Sequence, residues 1–235
     1  MNLFKVKFKE RVKRTDTTES FRFIPEQKPN FIPGQFLQVI FDPANSGNQL
    51  LNKYLSFSAS PERGYFEFTK RLSDSDFSNR LKALQPKDEV WLKGPLGNCV
   101  FREEQPKIGF LIGGIGITPV ISILEYIIDR KLKTDVVLLY SNRTEEEIAF
   151  KPEIDRWRKE NSNLKVFYTL TDCQPKDAEC LYGFIDENVL TTRMPDAQDR
   201  AIFIFGPPDM VKAMFEVCLK NVRREQIKTE NFFGY

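Results

Sequence analysis

The feature that most constrains this chain is a change of hydrophobic rhythm just past residue 100. In 4–13, FKVKFKERVK, Phe4, Val6, Phe8 and Val12 alternate with Lys5, Lys7, Lys9, Arg11 and Lys13. That is the period of a strand with one buried and one solvated face. Further strand-length segments stand at 20–24, 36–41, 53–59, 65–71 and 89–93. Pro33-Gly34, Ser46-Gly47-Asn48, Arg63-Gly64 and Gly94-Pro95-Leu96-Gly97 separate them as turns. One short helix interrupts at 78–84, with Ser78 as its cap. From 105 onward, apolar strands at 107–112, 135–141, 165–170 and 201–205 alternate with helical patterns at 119–131, 147–160, 186–190 and 208–222. Closely spaced short strands suit a barrel, and strand–helix alternation suits a parallel sheet with helices on both faces. The expectation is two domains: an antiparallel β-barrel over 1–103, then an α/β doubly wound parallel sheet over 104–235.

Composition removes several kinds of chemistry. The chain has no histidine, so Ser–His and Cys–His nucleophiles, the commonest general base and most zinc sites are excluded. Cys99, Cys173, Cys180 and Cys218 are scattered, with no spacing that holds zinc or an iron–sulfur centre. Cys218 shares an apolar helical stripe with Val211, Met214, Phe215 and Val222 and reads as core. Reduced thiols, a net charge of +2, no apolar run in residues 1–14 and no membrane-length segment point to a cytoplasmic protein without nucleic-acid partners. An enzyme of this composition takes its chemistry from a bound cofactor.

Two stretches suggest where. Residues 110–120, FLIGGIGITPV, run from a buried strand into a glycine-rich turn. Gly113, Gly114 and Gly116 let the backbone approach a ligand, and the following helix offers N–H groups to a phosphate. Pro119 suits the first helical position, where a missing N–H costs nothing. Alone, the turn reads equally as a phosphate loop or as a plain strand–helix connection. Residues 202–210, IFIFGPPDM, repeat the arrangement, and two such turns at strand ends of one sheet mark a ligand site of open α/β sheets.

Taken in order, GGIGITP at 113–119, YSNRTEEE at 140–147 and FGPPDM at 205–210 resemble the pyridine-nucleotide domain of the ferredoxin–NADP+ reductase superfamily. FIPGQFLQV at 31–39, KYLSFSASP at 53–61 and GPLG at 94–97 resemble that family's flavin-binding barrel, so the likeness covers essentially the whole chain. The resemblance implies FAD, with FMN as the lesser alternative, and NADPH or NADH as co-substrate. It aligns Lys53, Leu55 and Ser56 with the family's R-x-Y-S flavin motif. There the arginine meets the flavin pyrophosphate, the tyrosine packs on the ring, and the serine bonds near the redox-active N5. Lys53 keeps the charge but loses the bidentate fork. Leu55 offers packing area without aromatic stacking, and alternation turns Tyr54 to the opposite face. The family's G-x-x-S phosphate helix has Ser75 in place of glycine, with Ser78 and the helix N–H groups left to receive phosphate.

By the same resemblance, Tyr54, Phe57, Ser58, Thr69, Lys70 and Phe77 join the flavin contacts. Gly114, Gly116, Thr118, Ser141, Gly206, Pro207 and Met210 line the nucleotide side, where Phe205 replaces a frequent cysteine. Arg143 suits the 2′-phosphate of NADPH, whereas Glu145 to Glu147 suit the free ribose of NADH, and both stay open. Tyr235, or Phe233, takes the place of a terminal aromatic over the flavin; a hydrophobic tail anchoring the last turn fits as well. Ser56 and Tyr235 are thus the residues nearest the chemistry. The implied reaction passes hydride from NAD(P)H to FAD, then electrons to a separate acceptor such as ferredoxin, flavodoxin or another redox protein. The lysine face of 4–13 reads as solvated protection of an edge strand, or as a dock for an acidic partner. The altered Lys53 and Leu55 leave two alternatives, a non-catalytic or electron-relay subunit and a flavin-free NAD(P)H-binding regulator.

Overall fold

A computed structural model describes residues 2–27, 30–45, 47–176 and 180–232, and its strands form two six-stranded sheets. Contacts divide the chain into two compact units, 1–101 with 118–129, and 102–117 with 130–235.

The first unit holds β1 (Asn2–Lys13), β2 (Thr18–Ile24), β3 (Phe36–Ile40), β4 (Asn52–Ser56), β5 (Phe66–Arg71) and β6 (Glu89–Leu96). All pair antiparallel in the order β4-β3-β6-β1-β2-β5. The sheet curls back on itself, because Phe57, just past β4, bridges Phe68 of β5. Period-two alternation aims one face inward, and that face is rich in phenylalanine. Phe8, Phe21, Phe23, Phe57, Phe66, Phe68 and Phe77 share the core, with Phe31 stacked on Phe57 at 3.8 Å between ring centroids. Each such buried ring contributes about 1.5–3 kcal/mol over its exposed state.

Three expectations are corrected here. The lysine-faced strand is not an edge: β1 lies between β6 and β2. Its outward lysines are solvated over a paired sheet, with Lys5 bonded to Glu89 at 2.7 Å and set over the Trp91 ring. Gly94–Leu96 is not a turn but the end of β6, where Leu96 pairs with Phe36. The short helix α1 runs Asp76–Ala83, and Ser75, not Ser78, is its N-cap. Ser75 Oγ accepts the Ser78 N–H, which moves the helix start two residues upstream of the sequence-based one.

A charged network lies on the other face of β2 and β5. Glu67, 2 % exposed, accepts from Arg22 at 2.8 Å and from Arg14 at 3.3 Å. Ser58 Oγ donates to Glu67 at 3.0 Å and shares a hydrogen bond with Thr69, which shares another with Ser20. Arg14 donates to Ser20 at 2.7 Å, closing a ring of satisfied polar groups. Residues 118–129 of helix α2 (Ile117–Asp129) belong to this unit. There the Ser60 N–H donates to Glu125 at 2.7 Å, and Arg63 pairs with Glu125 and Asp129. Burial pushes the Glu125 carboxyl up to about 7, against the opposing pull of Ser60 and Arg63.

The second unit holds β7 (Lys107–Gly113), β8 (Asp135–Asn142), β9 (Leu164–Leu170), β10 (Cys180–Tyr182), β11 (Ala201–Gly206) and β12 (Ile227–Asn231). They form one parallel sheet in the order β10-β9-β8-β7-β11-β12. Their apolar runs suit strands buried on both faces. Helices α4 (Glu187–Arg193) and α5 (Pro208–Leu219) pack Leu190, Val211, Met214 and Cys218, with Met194 at the α4 C-cap, against Leu111, Val137, Leu139, Ile202 and Ile204. Helix α3 (Lys151–Glu160) lies on the opposite face, where Tyr168 donates to Asp155. It starts later than the pattern at 147–160 suggests, because Phe150 adopts a left-handed φ of 61° and separates it from a 3-10 turn at Glu145–Glu147. Pro119 is the third residue of α2, not the first, still within the turn whose N–H groups need no helical acceptor. At the far end of the sheet Arg200, 3 % exposed, joins Asp196, Asp135 and the Ile108 carbonyl. Burial alone would raise Asp196, but Arg200 and Lys107 hold it down at about 2.

Candidate functional site

The carboxyl end of the parallel sheet is where its chain order reverses: β8 and β9 succeed β7 on one side, β11 and β12 on the other. Open α/β sheets bind ligands at such a reversal. Both glycine turns fall there, after β7 and after β11. Gly114 opens a 3-10 turn at φ +50°, a left-handed conformation, and a Cβ on it would meet nothing within 4 Å. Gly116 is required for the opposite reason: a Cβ there would stand 2.5 Å from the Phe205 carbonyl oxygen. The loop therefore lies directly on the end of β11 while its outer side stays open. Pro207 and Pro208 start α5, and the Met210 side chain rests against the backbone of Gly113 and Gly206. Ser141 stands in register with Gly113. Arg143 is exposed just beyond β8, and its carbonyl accepts the Asp172 N–H at 3.0 Å. Thr118 is buried in the first turn of α2.

Three residues of this sheet escaped the sequence reading. Tyr140, fully buried on β8, donates its hydroxyl to the Gly114 carbonyl at 3.0 Å. Asn142 is buried with both amide atoms unpartnered among the described residues. Glu230 lies on β12, a strand the sequence reading did not place, and burial pushes its carboxyl up to about 7. A tyrosine and an asparagine inside the apolar run VVLLYSNR were the available signals for the first two; IKTEN gave none for Glu230.

In the first unit, Ser56 closes β4, 4 % exposed, and its hydroxyl has no hydrogen bond among the described residues. Lys53 on β4 and Lys70 on β5 have no ion-pair partner among the described residues. Burial, and then the neighbouring Lys53 charge, lower the Lys70 ammonium from its ordinary value. Two cations that repel each other without a counter-ion form a ready anion site. Downstream of Lys70, α1 turns its N-terminus outward with Ser73, Ser75 and Ser78 clustered by hydrogen bonds. Tyr54 and Leu55 point to opposite faces as alternation requires. Tyr54 is 61 % exposed and edge-on to Phe36, whereas Leu55 packs against the phenylalanine core. Phe57 and Phe77 are core rings, so what they present outward is backbone. Ser58 and Thr69 spend their hydroxyls in the Glu67 ring. Tyr235 and Phe233 lie outside the described residues.

Both half-sites fit the groups suggested by sequence, a phosphate-bearing flavin on the first unit and a dinucleotide on the second. Residues 4–101 match the family described as "Oxidoreductase FAD-binding domain", and residues 110–216 that described as "Oxidoreductase NAD-binding domain". NADH-cytochrome b5 reductase 1 of Dictyostelium discoideum is 32% identical over 172 residues, covering 72% of this chain and 60% of that protein. The chain thus spans about three-fifths of that relative's length. The cytochrome b5 reductase domain of Ulva prolifera nitrate reductase superimposes with a TM-score of 0.83 at 22% identity, covering 97% of each chain. A ferredoxin NADP+ reductase from Neisseria gonorrhoeae with bound FAD and NADP gives 0.79 at 21% identity, covering 99% of this chain and 100% of that one.

Proposed function

The chain belongs to the ferredoxin–NADP+ reductase-like flavoprotein reductases, and we propose from that premise that it oxidises NADH through FAD and reduces a separate one-electron redox protein. The observation that carries this reading is the placement of Gly114–Gly116 and Gly206–Pro207 on neighbouring strands at the reversal of strand order.

Bound FAD would supply the redox chemistry, the capacity to take up two electrons as hydride and to give them up one at a time. The chain's residues do the holding and orienting. Lys53, Lys70 and the N–H groups of α1 neutralise the flavin pyrophosphate, and Ser56 Oγ supplies a hydrogen bond to the flavin edge. Leu55, half-buried against the barrel core, contributes shape rather than stacking. Gly114 and Gly116 bring loop N–H groups to the dinucleotide pyrophosphate, while Gly206 and Pro207, with Met210 packed against Gly206, would border the nicotinamide.

The preference for NADH rests on charge beyond β8 and β9. Asp172 accepts from Thr171 at 2.7 Å beside Arg143, and Glu145 accepts the Lys176 N–H at 2.8 Å. Carboxylates outnumber cations there, which suits a free ribose hydroxyl over a 2′-phosphate. The acceptor reading follows the b5 reductase relatives and names a small haem protein of the cytochrome b5 kind, in place of ferredoxin or flavodoxin.

The test is an anaerobic titration of the yellow protein with NADH, then with NADPH, followed by addition of oxidised cytochrome b5. Bleaching by NADH at lower concentration and rapid haem reduction support the reading. A protein that stays colourless after incubation with FAD defeats it and favours the flavin-free binder.

A further inference from the structure

We propose that Tyr140 is the positioning residue of the glycine loop, aiming its backbone donors at the dinucleotide; this rests on the nucleotide-binding reading of that loop. The Gly114 carbonyl accepts twice, from the Ile117 N–H inside the 3-10 turn and from the Tyr140 hydroxyl at 3.0 Å. A trans peptide directs its C=O and its N–H to opposite sides. With the Gly114 carbonyl turned onto the Tyr140 hydroxyl, the N–H of the same peptide points to the side away from Tyr140. The turn is open on the Gly114 side, since a Cβ on Gly114 would meet nothing within 4 Å.

The turn needs this external hold. At φ +50°, a glycine has several other conformations within easy reach, and its peptide can rotate when nothing fixes it. Tyr140 is well placed to fix it because it is buried and its strand is paired on both sides. It is fully buried in a central strand, in register with Ile112 on β7 and Tyr168 on β9. The Tyr168 ring lies 6.2 Å away, itself anchored through its hydroxyl to Asp155, which Lys151 holds at 2.7 Å. The hydroxyl thus transmits the rigidity of β8 to the loop through its hydrogen bond to the Gly114 carbonyl.

The test is Tyr140→Phe, which keeps the ring and removes only the donor, studied in the FAD-loaded protein. Calorimetric binding of NAD+ should weaken about three- to tenfold, the effect of one lost hydrogen bond. Adenosine, which lacks the pyrophosphate, should bind as it does to the wild type. Amide exchange at residues 115–117 should quicken in the absence of nucleotide, and KM for NADH should rise more than kcat falls. NAD+ affinity or amide exchange unchanged in Tyr140→Phe, with the wild type binding NAD+ normally, overturns the role of Tyr140 and leaves the functional reading intact. Equal losses for NAD+ and adenosine overturn it in favour of general destabilisation. A wild type that binds no NAD+ overturns the inference together with the reading beneath it.

Discussion

Glu230 stands opposite Phe205 in the parallel pairing of β11 and β12, a carboxyl in register with a fully buried ring at the edge of the glycine-bearing turn. Its Oε2 has no partner among the described residues, and desolvation raises the group from 4.5 to about 7. A carboxyl whose folded value lies above its unfolded one binds its proton more tightly when folded. Its contribution is therefore full at acidic pH and is lost as pH rises from about 4.5 through about 7. Glu230→Gln removes that titration. The variant should match the wild type below about pH 4 and exceed it at pH 8 by roughly 2 kcal/mol, less than the whole shift because the group is partly solvated. Chemical denaturation at the two pH values checks this, and identical pH dependence in both proteins would contradict the desolvated carboxyl.

Ser56→Ala tests the proposed place of this serine at the flavin edge. Its hydroxyl has no other hydrogen bond to lose among the described residues, so folding and FAD content should stay near wild type. Reduction by NADH should slow about tenfold, the worth of one oriented hydrogen bond in the transition state. Stopped-flow bleaching under anaerobic conditions measures it directly. A normal rate would remove Ser56 from the redox centre.

The helix start at Ser75 makes that one serine a test of two roles. Ser75→Ala loses the cap of α1 and should cost about 1 kcal/mol. The same variant should weaken FAD retention if the N-terminus of α1 receives the pyrophosphate. Equilibrium unfolding and a flavin-release assay separate the two effects. Wild-type behaviour in both would contradict the cap and the phosphate role together.

The alternating lysines of β1 and the apolar runs of the parallel sheet were legible because burial on one or two faces writes itself directly into period. The glycine turns were legible because only glycine permits Gly116 to lie on the Phe205 carbonyl. The edge position of β1 was misread because local alternation carries no information about how many neighbours a strand has. β12 was missed for a related reason: IKTEN lies at a sheet margin, so most of its side chains are half-buried or exposed and no apolar period forms. Tyr140 escaped because its role depends on a hydroxyl meeting a carbonyl 26 residues away in sequence, a relationship made only by the pairing of β7 with β8.

The lysine face of β1 bears on the acceptor. Lys5 is already engaged by Glu89 and Trp91, and Lys9 by Glu10 and Tyr65. Compensated charges make a weaker field for an approaching acidic protein than the sequence suggests, and salt screens what remains within about 10 Å. Reversing Lys5, Lys7 and Lys9 to glutamate should therefore change KM for cytochrome b5 by less than about threefold at 0.1 M salt. Reduction of ferricyanide, a small oxidant that needs no docking surface, should be unchanged as well. The measurement is steady-state kinetics with both acceptors across a salt series. A large, salt-dependent rise in KM confined to the protein acceptor would mean that this face, despite its internal pairing, is where the partner docks.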